Sequence, residues 1–232
     1  FSKDLLKKAK PAAKKEFKNL ENYAKKIGGI SQLQKWDGAY YAEKLKKEIF
    51  DLDQEILKPY FKLENVIAGA FTIAHKLFDL NFEAVTTIDK YHEDVKTYNV
   101  TDTNGDFIAI FYADFHPRKG KRNGAWMTSY KPQQIKNSKN ERPHISIVCT
   151  FTKTTATKPS LLTFNEVTTL FHEFGHALHG MLANTTYNSL SGTSVSWDFV
   201  ELPSQILENW CYEKEALALF ATHYETGEML PM

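Results

Sequence analysis

The sequence predicts an α+β chain: mainly helical, with a small antiparallel-rich β-sheet. Three observations predict it. The first eighty residues place apolar side chains at helical spacing. Residues 82–151 break into short segments rich in β-branched and aromatic residues, separated by turn chemistry. After residue 160 helical spacing returns in two further patterns, the second folding back beside the first.

Residues 5–27 form an amphipathic pattern with lysines on the outer face, which reads as a solvated surface. Gly28 and Gly29 end it. Asp37 is the expected N-cap of a helix over residues 40–53, with Tyr41, Leu45 and Ile49 on one side. Pro59 opens a short segment. A third helix is expected over residues 64–80, turning Val66, Ile67, Ala70, Phe71, Ala74, Leu77 and Phe78 inward. Strands are expected over residues 82–87, 95–102, 107–115, 125–130 and 145–151, with a hairpin turn at residues 103–106 (T-N-G-D). Residues 117–123, basic, and 136–142, polar, read as exposed loops.

Composition bounds the function. The chain has 232 residues, 42% hydrophobic and 25% charged, enough to bury a core. A net charge of +1 argues against nucleic acid and anionic membranes as partners. No apolar run approaches the roughly 20 residues of a membrane span. Cys149 and Cys211 are too few for a disulfide scaffold and read as buried thiols. The chain starts at Phe1, within a helical pattern, so we expect an internal piece of a longer protein. The cytoplasm is the expected compartment and the periplasm the alternative.

The chemistry is concentrated in residues 171–210. Residues 172–176 read H-E-F-G-H, the H-E-x-x-H pattern of zinc peptidases. On a helix, positions i and i+4 share a face, so His172 and His176 can aim ring nitrogens at one zinc ion. Glu173 lies about 100° round the helix; it need not be a ligand, but can reach a water bound to the metal. Asn165 is the expected N-cap. Val167, Leu170, Phe171, Phe174, Ala177, Leu178 and Met181 supply the buried stripe. Gly175, a poor helix former, is read as making room for another element. A second helix is expected over residues 198–224. Spacing leaves Asp198, Glu201 and Glu208 open as third ligands. His179 is read as packing or hydrogen bonded, because the offset Gly and His of a metzincin are missing.

These residues resemble the thimet oligopeptidase family, and within it the bacterial peptidyl-dipeptidases. The resemblance rests on F-H-E-F-G-H-A-L-H-G at 171–180, L-S-G-T at 190–193, D-F-V-E-L-P-S-Q at 198–205 and Glu208. It extends to F-Y-A-D-F at 111–115 and G-A-W-M at 124–127. It implies one zinc ion held by His172, His176 and Glu201, with the third ligand on a helix packed against the first, and Glu173 as catalytic base. Ser204, Gln205 and Glu208 would orient ligands. An edge strand at Ala125 and Trp126, with Gly192, would bind substrate backbone. The implied activity is hydrolysis of short unstructured peptides with release of C-terminal dipeptides. Endo-acting cleavage is the alternative, and a zinc- or peptide-binding fragment without turnover the reading from another class. In this frame residues 1–81 are the helical portion, 82–155 the sheet and 160–232 the zinc-binding helices of one catalytic domain. The remaining segments of the protein would be partners. Oxyanion-stabilising residues would lie beyond Met232, leaving residues near Leu217 and Phe220 exposed for a missing segment to cover.

Overall fold

The structure, a computed structural model, describes residues 1–50 and 54–231. The end of the expected second helix, at residues 51–53, lies outside them. The chain divides into two compact units, Phe1–Ile56 and Leu57–Met232.

In the first unit, α1 (Ser2–Gly28) stops where Gly29 turns left-handed at φ 62° and donates its amide to the Lys25 carbonyl. The helix α2 (Gly38–Phe50) begins after Asp37, and the two helices share a small core of Ala24, Leu33 and Tyr41. Of the residues expected on one side of this helix, Tyr41 is buried and Ile49 is 61% exposed. A single turn, α3 (Gln54–Leu57), spans the boundary in sequence.

The second unit is mixed α and β. Its first long helix, α4 (Leu63–Phe78), buries Val66, Ile67, Ala70 and Ala74 as its spacing predicts; Leu77 and Phe78 stay exposed in its last turn. Five strands follow in one sheet: β1 (Asn81–Val85), β2 (Lys96–Thr101), β3 (Phe107–Asp114), β4 (Trp126–Lys131) and β7 (His144–Val148), in the order β1-β2-β3-β7-β4. All neighbours are antiparallel except β3 and β7. The turn between β2 and β3 is held by Asp102, whose carboxylate accepts the amides of Asn104 and Asp106, both at 2.9 Å. β4 is therefore an edge strand, with one side unpaired within the sheet.

Residues 136–142 are not all loop. β5 (Gln134–Lys136) and β6 (Lys139–Glu141) form a two-stranded hairpin around Asn137 and Ser138, both at positive φ. The buried Gln133 side chain ties it down, donating to Asn140 Oδ1 and the Thr185 carbonyl and accepting the Thr185 amide.

α5 (Phe164–Met181) lies against the sheet with its predicted apolar stripe buried. Phe71, Phe82 and Phe111 meet Phe174 at ring centroid distances of 5.7–5.9 Å, so α4, the sheet and α5 share one core. The fully buried rings, Phe111 and Phe174, contribute about 1.5–3 kcal/mol each by burial. Both ends of α5 are fixed. At the start the N-cap is Thr163, not Asn165. Its Oγ1 accepts the Glu166 amide, and Glu166 Oε2 accepts the Thr163 amide at 2.8 Å. At the end, Arg142 donates to the carbonyls of Met181 (2.6 Å) and Ala183 (3.0 Å), and to Ile108 on the sheet (2.8 Å).

The expected helix over residues 198–224 is broken. Residues 197–201 are turns, α6 runs over Leu202–Glu208, a 3₁₀ turn covers Asn209–Tyr212, and α7 covers Lys214–Leu217. Pro203 cannot donate in a helix interior and so marks the first turn of α6. Glu213 is extended (φ −91°, ψ 132°), which separates the 3₁₀ turn from α7. Leu217 and Phe220, expected to be exposed, are buried at 9% and 1%. Phe220 sits over Gly69 of α4, where a Cβ would stand 2.6 Å from its ring, and packs against Phe61 and Phe171. Cys149 and Cys211 are free and buried; burial pushes the Cys211 thiol up to about 12. Among the described residues, no helix is long and apolar enough to cross a membrane.

Candidate active site

α5 delivers His172 and His176 to one face, as the i, i+4 spacing requires, and α6 lies across them. The close approach is made at Gly175. A Cβ there would stand 2.6 Å from Ser204 Cα and 2.8 Å from the Pro203 carbonyl oxygen. With no side chain at this point, the backbone of α6 rests on α5, and Glu201, the residue that precedes α6, comes opposite the histidines.

Three donor atoms then converge. His172 Nε2 is 3.2 Å and His176 Nε2 3.1 Å from the same Glu201 oxygen, Oε2. These are the residues whose ligand atoms all lie within 4.8 Å of one another. Glu208, about two helical turns further along the chain, accepts from His172 Nδ1 at 2.6 Å. That bond places a proton on Nδ1, so in the neutral ring Nε2 carries its lone pair toward Glu201. A lone pair facing a carboxylate oxygen is repulsive unless a cation lies between them. The donor set, two imidazoles and a carboxylate with a carboxylate behind one imidazole, therefore fits a divalent metal ion such as zinc.

Glu173 faces the same cleft from the next position on α5. It is 7% exposed, and its Oε2 has no hydrogen-bond partner among the described residues. Burial pushes its carboxyl above the ordinary glutamate range; Glu201 adds to this and His172 opposes it. Glu201 is held below that range by the bond from Ser204 Oγ (2.8 Å), helped by His176 and His172 and opposed by partial burial. Burial likewise lowers His176, favouring its neutral form.

The cleft encloses about 310 Å³. Ala125, Trp126 and Met127 form one wall, His172, Glu173 and His176 the floor, and Thr193, Val200 and Glu201 the other side. Of the residues named from sequence, Ala125, Trp126, Glu173 and the three donors meet here, with Glu208 and Ser204 directly behind. Gly192 and Gln205 do not join them. Gly192 packs on α5 at Gly180 and lines a separate apolar cavity of about 630 Å³, and the Gln205 side chain is exposed. His179 also lines that second cavity, its Nδ1 without a partner among the described residues and its ring 6.1 Å from Phe199. Because the larger cavity has apolar walls and no convergent donors, it is not where bond-breaking chemistry is equipped. Asp198, one of the three carboxylates left open by spacing, is exposed away from the histidines. Thr193 and Val200, which carry no chemical signal in the sequence beyond their place in the matched segments, also line the cleft.

Two histidines, a carboxylate and a nearby unpaired carboxyl are the equipment of a metal-dependent hydrolase. Comparison with known proteins gives the class: the chain matches Peptidase family M3 over residues 1–232 and belongs to that family of metallopeptidases. It is 42% identical over its whole length to oligopeptidase A of Escherichia coli (strain K12), and 41% identical to dipeptidyl carboxypeptidase of the same organism. It is 40% identical over 95% of its length to the organellar oligopeptidase A, chloroplastic/mitochondrial, of Arabidopsis thaliana. The chain spans about a third of the length of these relatives: 34%, 34% and 29%.

Proposed function

We propose that this chain is the metal-binding core of a peptidase that hydrolyses short, unstructured peptides, one part of a single catalytic domain. The observation that carries the reading is the meeting of His172 Nε2 and His176 Nε2 at Glu201 Oε2, with Glu208 bonded behind His172. His172, His176 and Glu201 would hold one zinc ion. When bound, zinc acts as a Lewis acid toward a carbonyl oxygen and makes water more acidic.

The chain's own residues supply the rest. Glu173 takes the proton of the attacking water at its free Oε2 and passes it to the leaving amine. Glu208 keeps the His172 ring turned with Nε2 toward the cleft, and Ser204 holds Glu201 toward the histidines. The unpaired side of β4 at Ala125 and Trp126 receives the peptide backbone by strand addition, which binds main chain and tolerates many side chains.

Release of C-terminal dipeptides is the finer reading, supported by the 41% identity to a dipeptidyl carboxypeptidase. Internal cleavage is the second, supported by the 42% identity to an oligopeptidase A. A peptide ladder separates them: successive loss of dipeptides supports the first, a single internal cut the second. The ligand set is tested by metal analysis of the full-length protein. Glu201→Ala should lose stoichiometric zinc. Zinc retained in Glu201→Ala and lost in Glu208→Ala would transfer the ligand to Glu208.

A further inference from the structure

The connection from β3 to the edge strand β4, residues 115–125, is tied to a single buried carboxylate. Asp114, the last residue of β3, has a side chain 1% exposed. Arg118 grips it in two bonds, Nη1 to Oδ1 at 2.7 Å and Nη2 to Oδ2 at 2.9 Å. Lys121 Nζ, on a side chain 3% exposed, donates to Asp114 Oδ1 (2.8 Å) and to the carbonyls of Asp114 (3.0 Å) and His116 (2.8 Å). Tyr91 donates to Oδ2 at 2.9 Å. All three ammonium protons and both carboxylate oxygens are thereby engaged. The basic run at residues 117–123, which reads from sequence as an exposed loop, is in part an interior fastening.

Its position gives it a consequence. Asp114 pairs with Val148 on one side of β7, and Trp126 pairs with Val148 on the other. The loop leaves β3 and enters β4 in the same row, passing across the end of β7. On the far side it is held again: the Gly124 amide meets Thr150 Oγ1 at 3.3 Å, with Gly124 at φ 115°, and Arg122 stacks 4.6 Å above the Trp126 ring. What emerges is Ala125 and Trp126 at the cleft wall, while Asp114, Arg118 and Lys121 stay out of the cleft. A loop of this length ordinarily moves, and recognition through main-chain bonds needs the backbone placed to about 0.5 Å.

We propose that Asp114, with Arg118 and Lys121, positions the substrate-binding backbone at Ala125 and Trp126, setting affinity for peptide main chain without touching the peptide. This rests on the reading above that β4 pairs with substrate. Charge-assisted, two-pronged bonds fix both distance and angle, so weakening them should loosen that backbone while leaving the metal donors in place.

The experiment uses the full-length protein, in Asp114→Asn and Lys121→Met forms, assayed on one peptide and on versions methylated at single backbone nitrogens. The wild-type protein should discriminate against methylation at one or two nitrogens; equal KM for every version would remove strand pairing itself. Given that discrimination, both variants should show KM raised about tenfold with kcat within about threefold, the pattern of lost uniform binding. Zinc content should be unchanged and the methylation ratio should fall toward one. A variant that merely unfolds in part loses kcat equally on all peptides and keeps the ratio. That result, or wild-type KM and ratio in Lys121→Met, would overturn the proposal. Lys121→Met carries the test if Asp114→Asn fails to fold, because Arg118 and Tyr91 still satisfy Asp114.

Discussion

Adding one methyl group at Gly175 should weaken metal binding far more than it weakens the fold. In Gly175→Ala the new Cβ would stand 2.6 Å from Ser204 Cα, 2.8 Å from the Pro203 oxygen and 3.1 Å from the Pro203 carbonyl carbon. All three are backbone atoms, which cannot rotate away. Carbon–carbon contact is comfortable near 3.5–4.0 Å, so α5 and α6 must separate by roughly 1 Å. Overpacking of this kind costs about 1–3 kcal/mol. Alanine returns about 1 kcal/mol through its better helix propensity. The net loss of stability should be about 0–2 kcal/mol. The donor set responds differently, since His172 and His176 ride on α5 and Glu201 precedes α6. Metal–ligand distances tolerate about 0.2 Å, so a shift of roughly 1 Å takes Glu201 out of range. Zinc affinity should fall by at least the 10–100-fold typical of disturbed ligand orientation. The assay is zinc competition against a chelator for the full-length protein, beside urea unfolding of the metal-free form. Zinc affinity within twofold of wild type would refute the argument that contact at Gly175 sets the placement of Glu201.

Further predictions concern the base, the buried carboxylate and the helix start. Glu173→Gln should keep zinc and lose turnover by about 10²–10⁴-fold, since Gln keeps the shape and cannot take the proton; kcat within threefold of wild type would exclude Glu173 as base. Burial works against ionisation of Asp114, but Arg118, Lys121 and Tyr91 hold its carboxyl below the ordinary range. Its contribution is thus present above the unfolded value of about 3.9 and is lost as pH falls through the lower folded value. Urea unfolding between about pH 2 and 5 should show a steeper acid loss in the wild type than in Asp114→Asn, which is already about 3–5 kcal/mol less stable at neutral pH. Thr163→Ala removes the cap of α5 and should cost about 1 kcal/mol, read by thermal unfolding.

Local pattern made α5 legible. The i, i+4 histidines, the apolar stripe and the Gly175 gap were all readable because each depends only on helical geometry. The cap was also present in the sequence, as Thr163 followed three residues later by Glu166, but Asn165 is an equally good capping residue two positions on. Only the fold decides which one starts the helix. Pro203 marked the break before α6, yet the polar and apolar spacing through residue 224 continued across it. The β5–β6 hairpin escaped because its strands are polar and its turn, Asn137 and Ser138, lacks the glycine that usually announces positive φ. The burial of Phe220 is not legible in local sequence because the space that receives it belongs to Gly69, 151 residues earlier in number. The anchoring of the basic loop was hidden in the same way. Arg118 and Lys121 follow Asp114 at intervals of four and seven, but a loop has no fixed period from which to infer that they turn back on it.

Fixing α5 at both ends bears on how the ion and the fold depend on each other. Thr163 and Glu166 set where the helix starts, and Arg142 locks its last carbonyls to the sheet. His172 and His176 therefore hold their places by covalent and hydrogen-bonded links that involve no metal. In small zinc domains the ion is the organising contact, and removing it unfolds the chain. Here its absence should leave the α5 amides as slow to exchange as before. The element released would be the Glu201 turn, whose carboxylate meets Ser204 and the two histidines. Metal uptake then resembles the closing of a latch between two finished parts, and chelators should silence such a protein without melting it.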